Sequence, residues 1–257
     1  MKCCEGVRPL HSMAISRWRL PGAPLRSSVI RAVLGGVLII LVYAPIVASA
    51  TMSGTDYIRR TLVFFGAAAV LIVGRVSNQH PFPRFGAANT VTMLRVSLVA
   101  GVAGFIGETP SDRIAWIAAG VITLVALLDG VDGWLARRSQ EQSAFGARFD
   151  METDAALILI LSVLVWDHEK AGVWVLACGL MRYGFVAAGW VLPWMAGPLR
   201  STLRGKSVAI AQFVGLGIAL LPIVPPPAST VVAAITLALL AWSFAVDIAW
   251  LKRQAIA

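Results

Sequence analysis

Eight runs of mostly apolar residues divide the chain, at about 32–50, 61–77, 89–107, 113–129, 149–166, 171–192, 207–224 and 229–250. Each is close to the roughly 17–25 residues that a helix needs to cross a bilayer. The runs are solid rather than alternating, which predicts helices. A membrane β-barrel would instead show strands of about ten residues with a two-residue period. Turn chemistry separates the runs: HPFPRFG at 80–86, ETPSD at 108–112, WMAGPL at 194–199 and PIVPPPAS at 222–229. No internal repeat and no soluble domain stands out. The pattern predicts an all-α integral membrane protein with eight spans.

Composition agrees. The chain is 58% hydrophobic and 14% charged, with a mean hydropathy of +0.78, against about 45–50% apolar and about 25% charged in soluble domains. The net charge of +9 and pI near 10.3 raise the question of nucleic acid. The basic residues are scattered between apolar runs, which suits loops held against anionic lipid, so nucleic acid is excluded as a partner. Cys3, Cys4 and Cys178 have neither a disulfide framework nor metal-ligand spacing, and Cys178 reads as helix packing.

Lysine and arginine orient the bundle, because cytoplasmic loops carry the excess. One side holds Lys2, Arg8, Arg17, Arg19, Arg26, Arg31, Arg75, Arg84, Arg137, Arg138, Arg148, Arg200, Arg204, Lys206, Lys252 and Arg253. The other holds Arg59, Arg60, Arg113 and Lys170, a ratio of 16 to 4. Arg95 and Arg182 fall inside spans and are left out of the count. Both termini are expected in the cytoplasm. VASA at 47–50 resembles a signal-peptide cleavage site, but the long tail and long apolar run before it argue against cleavage.

One stretch departs from the apolar pattern. Residues 129–154 read DGVDGWLARRSQEQSAFGARFDMETD and hold six of the 13 acidic residues of the chain. On a helix, Asp129, Asp132, Gly133, Ala136 and Arg137 share one stripe. On the next helix Gly146, Asp150 and Asp154 share another, with RSQEQSAF as the turn. Two antiparallel helices can thus present four carboxylates to each other, and the small residues let the backbones approach. Converging carboxylates disfavour one another's ionisation, and a charge at membrane depth costs at least about 2.5–3.5 kcal/mol. A divalent cation resolves the conflict, and an all-oxygen ligand set suits Mg²⁺, Mn²⁺ or Ca²⁺. Room beside the small residues and the fork of Arg137 suit a phosphate. An EF-hand fails on spacing, since positions 3 and 12 counted from Asp129 are Val131 and Gln140. The expectation is a metal-dependent phosphate or pyrophosphate site at the cytoplasmic membrane surface.

The pattern Asp-x2-Asp-Gly-x2-Ala-Arg-x8-Gly-x3-Asp-x3-Asp resembles the signature of the CDP-alcohol phosphatidyltransferases. Asp129, Asp132, Gly133, Ala136, Arg137, Gly146, Asp150 and Asp154 fill every fixed position. NTVTMLR at 89–95 resembles the opening of the first core helix of that family, and RGKSVAIAQ at 204–212 the Gly-Lys opening of the fifth. The resemblance implies a six-helix core over 85–257, which leaves two additional membrane helices over 32–84 and a basic tail over 1–31 outside it. It implies transfer of a phosphatidyl group from CDP-diacylglycerol to a small polar alcohol, with release of CMP, in phospholipid synthesis. By position it implies that Asp129, Asp132 and Asp150, with Asp154 joining them, hold two Mg²⁺ or Mn²⁺ ions. Asp154 would be the general base, and Gly133, Ala136, Arg137 and Gly146 would shape the CDP pocket. Such an enzyme would sit in a bacterial cytoplasmic membrane among its lipids, and the resemblance leaves room for a homodimer.

Other residues have weaker claims. Arg182, inside a span, is a functional candidate by its position, set against a structural ion pair. Arg200, Arg204 and Lys206 could grip an acceptor phosphate or simply mark a cytoplasmic loop. Asn89 and Thr92 could line the site, with helix capping the other reading of Asn89. Glu141 and Glu152 are expected on solvated faces, and Asp247 beside Lys252 as an interfacial pair. His11, His80 and His168 read as isolated. A CDP-amino-alcohol transferase with diacylglycerol as acceptor, and a non-enzymatic cation-binding membrane protein, are the two competing functions. Glycerol phosphate, serine and an inositol phosphate are all open as acceptors.

Overall fold

The local sequence places the helix starts. Ser111, Ser143 and Thr202 cap three of them, each side-chain oxygen accepting the backbone N–H three residues on, at 3.3, 3.0 and 3.1 Å. Pro24 opens the first helix, where its missing N–H costs nothing. The computed structural model describes residues 22–139, 142–197 and 202–256. Among them lie eight α-helices: α1 (Ala23–Thr51), α2 (Gly54–Gln79), α3 (Ala87–Ala103), α4 (Asp112–Arg138), α5 (Ala144–Asp167), α6 (Leu176–Val191), α7 (Leu203–Leu220) and α8 (Ala228–Ile256). No strand occurs among the described residues.

The eight helices fall where the eight apolar runs lie, and the chain is a multi-pass membrane protein. Six are long and apolar enough to span by themselves: α1, α2, α4, α6 with its preceding turn, α7 and α8. The other two differ for distinct reasons. Helix α3 has only 17 residues, and α5 carries Arg148, Asp150, Glu152 and Asp154 in its first half. Several helices outrun their apolar runs. Helix α1 starts at Ala23, so Arg26 and Arg31 lie on a helix rather than in a tail. Helix α4 continues to Arg138, and the two arginines of its last turn suit the negative end of its dipole. Apolar residues mark the membrane part of a helix, not its ends.

Helix α3 is the centre, touching α1, α2, α4 and α5. It is buried almost all round, including Asn89, Thr92 and Arg95. The α1–α2 hairpin docks on it through glycine. A Cβ on Gly101 would stand 2.5 Å from the Tyr43 hydroxyl, and one on Gly104 would stand 2.9 Å from the Tyr57 ring and closer still to the Thr61 hydroxyl. Tyr43 donates to the Ser97 carbonyl at 2.7 Å. At the end of the bundle away from the acidic residues, Arg60 bonds to Glu108 and the Ile106 carbonyl. There Gly107 N–H donates to Asp167 at 2.8 Å, and Lys170 donates to the Leu221 and Val224 carbonyls at 3.0 and 3.2 Å.

Two expectations are corrected. Asp247 pairs with Arg204 of α7 rather than with Lys252, because the start of α7 packs beside the end of α8. One of the histidines is not isolated. His80 packs against Phe82, Phe85 and Phe145, while His168 is buried at the end of α5 with no hydrogen-bond partner for its Nε2 among the described residues. Glu152 is exposed as expected, and it pairs with Arg182 at 2.7 Å because α5 and α6 pack together. Cys178 is a buried free thiol. Glu141, Arg200, His11 and the residues of the tail up to 21 lie outside the described residues.

Candidate active site

Asp129 and Asp132 stand one helical turn apart near the end of α4. Asp150 and Asp154 stand one turn apart in the first half of α5. Helices α4 and α5 both pack on α3 and hardly on each other, so the two-helix meeting expected from the sequence is a three-helix one, with α3 bringing the other two together. All four carboxylates therefore face the same point, beside the buried stripe of Asn89, Thr92 and Arg95.

That point is occupied by Arg95. Its side chain is 1% exposed and reaches all four aspartates. Nη1 donates to Asp132 Oδ2 at 2.7 Å and to Asp150 Oδ1. With both of its hydrogens so used, Nη1 holds Asp129 Oδ1 at 3.0 Å by charge. Nη2 donates to Asp154 Oδ1 at 2.5 Å. The Thr92 hydroxyl adds a hydrogen bond to Asp132 at 3.1 Å. Burial grades the four: Asp132 is 6% exposed, Asp154 26%, Asp150 38% and Asp129 47%. The cluster opens on the side of Asp129.

One oxygen from each of Asp129, Asp132 and Asp150 lies within 4.8 Å of the others. Three hard carboxylate oxygens at that spacing fit a Mg²⁺ or Mn²⁺ ion, which takes a few carboxylates and keeps positions for phosphate oxygens. Asp154 stands outside this trio, on the other guanidinium nitrogen.

The small residues of the signature lie where close approach is needed. A Cβ on Gly146 would stand 3.0 Å from Asn89 Oδ1 and 3.2 Å from the Ser143 hydroxyl, so α3 and α5 meet closely there. Asn89 does not cap α3; Gly86 holds that position, and the Asn89 amide donates to the Phe85 carbonyl at 2.5 Å. Arg137 is exposed and folds over Gly133, its Nη1 standing 3.4 Å from where a Cβ would be. Ala136 lies between them on the same stripe, partly buried.

The basic candidates are less convergent. Arg182 is engaged by Glu152 and by Met151 Sδ at 3.1 Å. Arg204 is engaged by Asp247 and lies 5.9 Å from the Trp242 ring centre. Lys206 is exposed in the first turn of α7, a helix that packs on α4 and α5. Sequence reasoning missed Arg95. Its signal was an arginine set inside an apolar run, for which a buried acidic partner is the default expectation.

The model of the CDP-alcohol phosphatidyltransferase family matches residues 85–246, more than half of the chain. The chain is similar to the CDP-diacylglycerol–glycerol-3-phosphate 3-phosphatidyltransferase of Cereibacter sphaeroides, 31% identical over 88 residues, or 34% of this chain and 40% of that protein. It is similar to the protein of the same name from Salmonella choleraesuis, 28% identical over 138 residues, or 52% of this chain and 75% of that protein. The match thus spans less than half the length of the first relative. No solved structure matches the chain.

Proposed function

Because the chain belongs to the CDP-alcohol phosphatidyltransferase family, we propose that it moves a phosphatidyl group from CDP-diacylglycerol to a small polar alcohol in phospholipid synthesis. The observation that carries the reading is the convergence of Asp129, Asp132, Asp150 and Asp154 on one buried point between α3, α4 and α5. The acceptor we favour is glycerol 3-phosphate, for which both relatives are named. The core is proposed as 85–257, with 32–84 as an addition and 1–31 as a basic tail. The proposed setting is a bacterial cytoplasmic membrane, with the site and both termini on the cytoplasmic side, where CDP-linked donors are supplied.

Asp129, Asp132 and Asp150 would hold Mg²⁺ or Mn²⁺, with Asp154 beside them. Bound there, the metal supplies positive charge for the diphosphate and for the departing CMP. Gly133 and Ala136 leave space for the CDP moiety, Gly146 shapes the pocket by letting α5 approach Asn89 of α3, and Arg137 offers a fork of donors. The acceptor hydroxyl attacks the phosphorus that carries diacylglycerol. A new P–O bond forms, the diphosphate P–O bond breaks, and CMP leaves with the electron pair. Asp154 takes the hydroxyl proton. Arg182, Arg200, Arg204 and Lys206 are the proposed contacts to the acceptor phosphate. Lys206 ranks first among the described ones, since Arg182 and Arg204 each already carry a carboxylate partner.

The test is CMP release from CDP-diacylglycerol by the purified chain, with Mg²⁺ or Mn²⁺ and a panel of alcohols. We expect turnover with glycerol 3-phosphate and its loss in excess chelator. Asp129→Asn, Asp132→Asn and Asp150→Asn should each abolish release while the protein stays in the membrane. Full activity in chelator, or in any of the three variants, would contradict the assignment.

A further inference from the structure

We propose that Arg95 is the resident counter-ion of the carboxylate cluster, and that a divalent cation enters by displacing its Nη1. This rests on the metal-dependent reading of the site. The three oxygens that could hold an ion lie within 4.8 Å of one another. Arg95 Nη1 is within 3.0 Å of one carboxylate oxygen of each of Asp129, Asp132 and Asp150. A single nitrogen thus fills the place that a cation bound by all three would fill. The two cannot share it, because they would overlap and their like charges would repel.

The charge balance favours exchange. Four carboxylates face one guanidinium, so the cluster keeps a formal excess of negative charge when Arg95 alone compensates it. Geometry gives the guanidinium a fallback. Nη2 is engaged separately by Asp154 at 2.5 Å, so release of Nη1 leaves Arg95 one carboxylate. The side chain does not reach out to solvent: it is 1% exposed, and its Nε has no partner among the described residues. A buried arginine so placed is costly unless its partners stay in position. In this role Arg95 keeps the aspartates converged before metal arrives and weakens metal binding by competing for the same oxygens. It is a positioning residue, and its effect should show in metal affinity without any turnover.

The experiment is Mn²⁺ titration of the full-length protein in detergent, followed by loss of the free Mn²⁺ electron paramagnetic resonance signal. Thermal unfolding in chelator and in Mn²⁺ is measured alongside. Arg95→Gln removes the competing charge and should tighten Mn²⁺ binding by about 5–150-fold, the ordinary range for coupled ligands. Its melting temperature should fall in chelator and recover in Mn²⁺. Arg95→Lys, which keeps the charge but not the fork, should bind with an affinity between the two. Should Arg95→Gln fail to fold under either condition, Arg95→Lys decides: tighter binding than wild type supports the exchange, and unchanged binding overturns it. Equal or weaker binding by a folded Arg95→Gln overturns the exchange alone, provided Asp132→Asn abolishes binding in the same assay. No Mn²⁺ binding by the wild-type protein overturns the metal reading, and the exchange with it.

Discussion

Asp154 differs from its three neighbours in position rather than in kind. It lies one turn deeper along α5 than Asp150, is bonded to Arg95 Nη2, and is outside the trio of oxygens that could share an ion. A carboxylate beside the metal is free to take a proton, and positioned proton transfer is worth about 10²–10⁴-fold in rate. Asp154→Asn keeps the shape and removes the basicity. Transfer should therefore fall by about two or more orders of magnitude while binding of the CDP-linked donor stays near wild type, since a group acting in the chemical step costs rate more than ground-state affinity. Calorimetry with a donor analogue and a CMP-release assay give the two quantities. Joint collapse of donor binding and rate would make Asp154 chiefly a ligand. No change in either would place the base elsewhere.

Among the elements, α3 carries the heaviest structural load for its length. Its first half presents Asn89, Thr92 and Arg95 to the site, and its second half receives Tyr43 and Tyr57 of the α1–α2 hairpin at Gly101 and Gly104. The hairpin is thus positioned to hold the helix that holds Arg95. Gly104→Val should force Tyr57 and Thr61 away. Overpacking of this kind typically costs about 1–3 kcal/mol, so the melting temperature in detergent should drop measurably. Gly66→Val on α2 is the control, because its side chain would enter open space and valine is no worse than glycine in a helix. Equal stability of the two variants would show that the docking of the hairpin is not what Gly104 serves. The apolar runs made α3 legible as a helix, but nothing local to 89–103 marks it as the hub. Its burial comes from four neighbours, each contributing a face.

At the scale of the whole molecule, the bundle presents the acidic cluster and the starts of α3, α5 and α7 at one end. The proposed cytoplasmic placement of that end rests on the ratio of 16 to 4 basic residues. Single cysteines at Gln142 and Thr109, both exposed, test it in intact cells once the native cysteines are removed. A membrane-impermeant thiol reagent should label position 109 and spare position 142. The reverse pattern would put the site on the wrong side of the membrane for a cytoplasmic CDP-linked donor.

The sequence by itself determined the helical class and the eight elements. Those features are local. The 3.6-residue period sets which side chains share a face, and caps such as Ser143 set where helices begin. It likewise put Asp129 with Asp132 and Asp150 with Asp154. Only the tertiary structure decided that Arg95 stands among all four, that Arg204 rather than Lys252 takes Asp247, and that tyrosines of α1 and α2 fill the glycine gaps of α3. Each of these contacts joins different helices, through residues tens of positions apart in the chain. Which faces meet depends on how several buried helices pack at once, and that packing has no signature in any single stretch of residues.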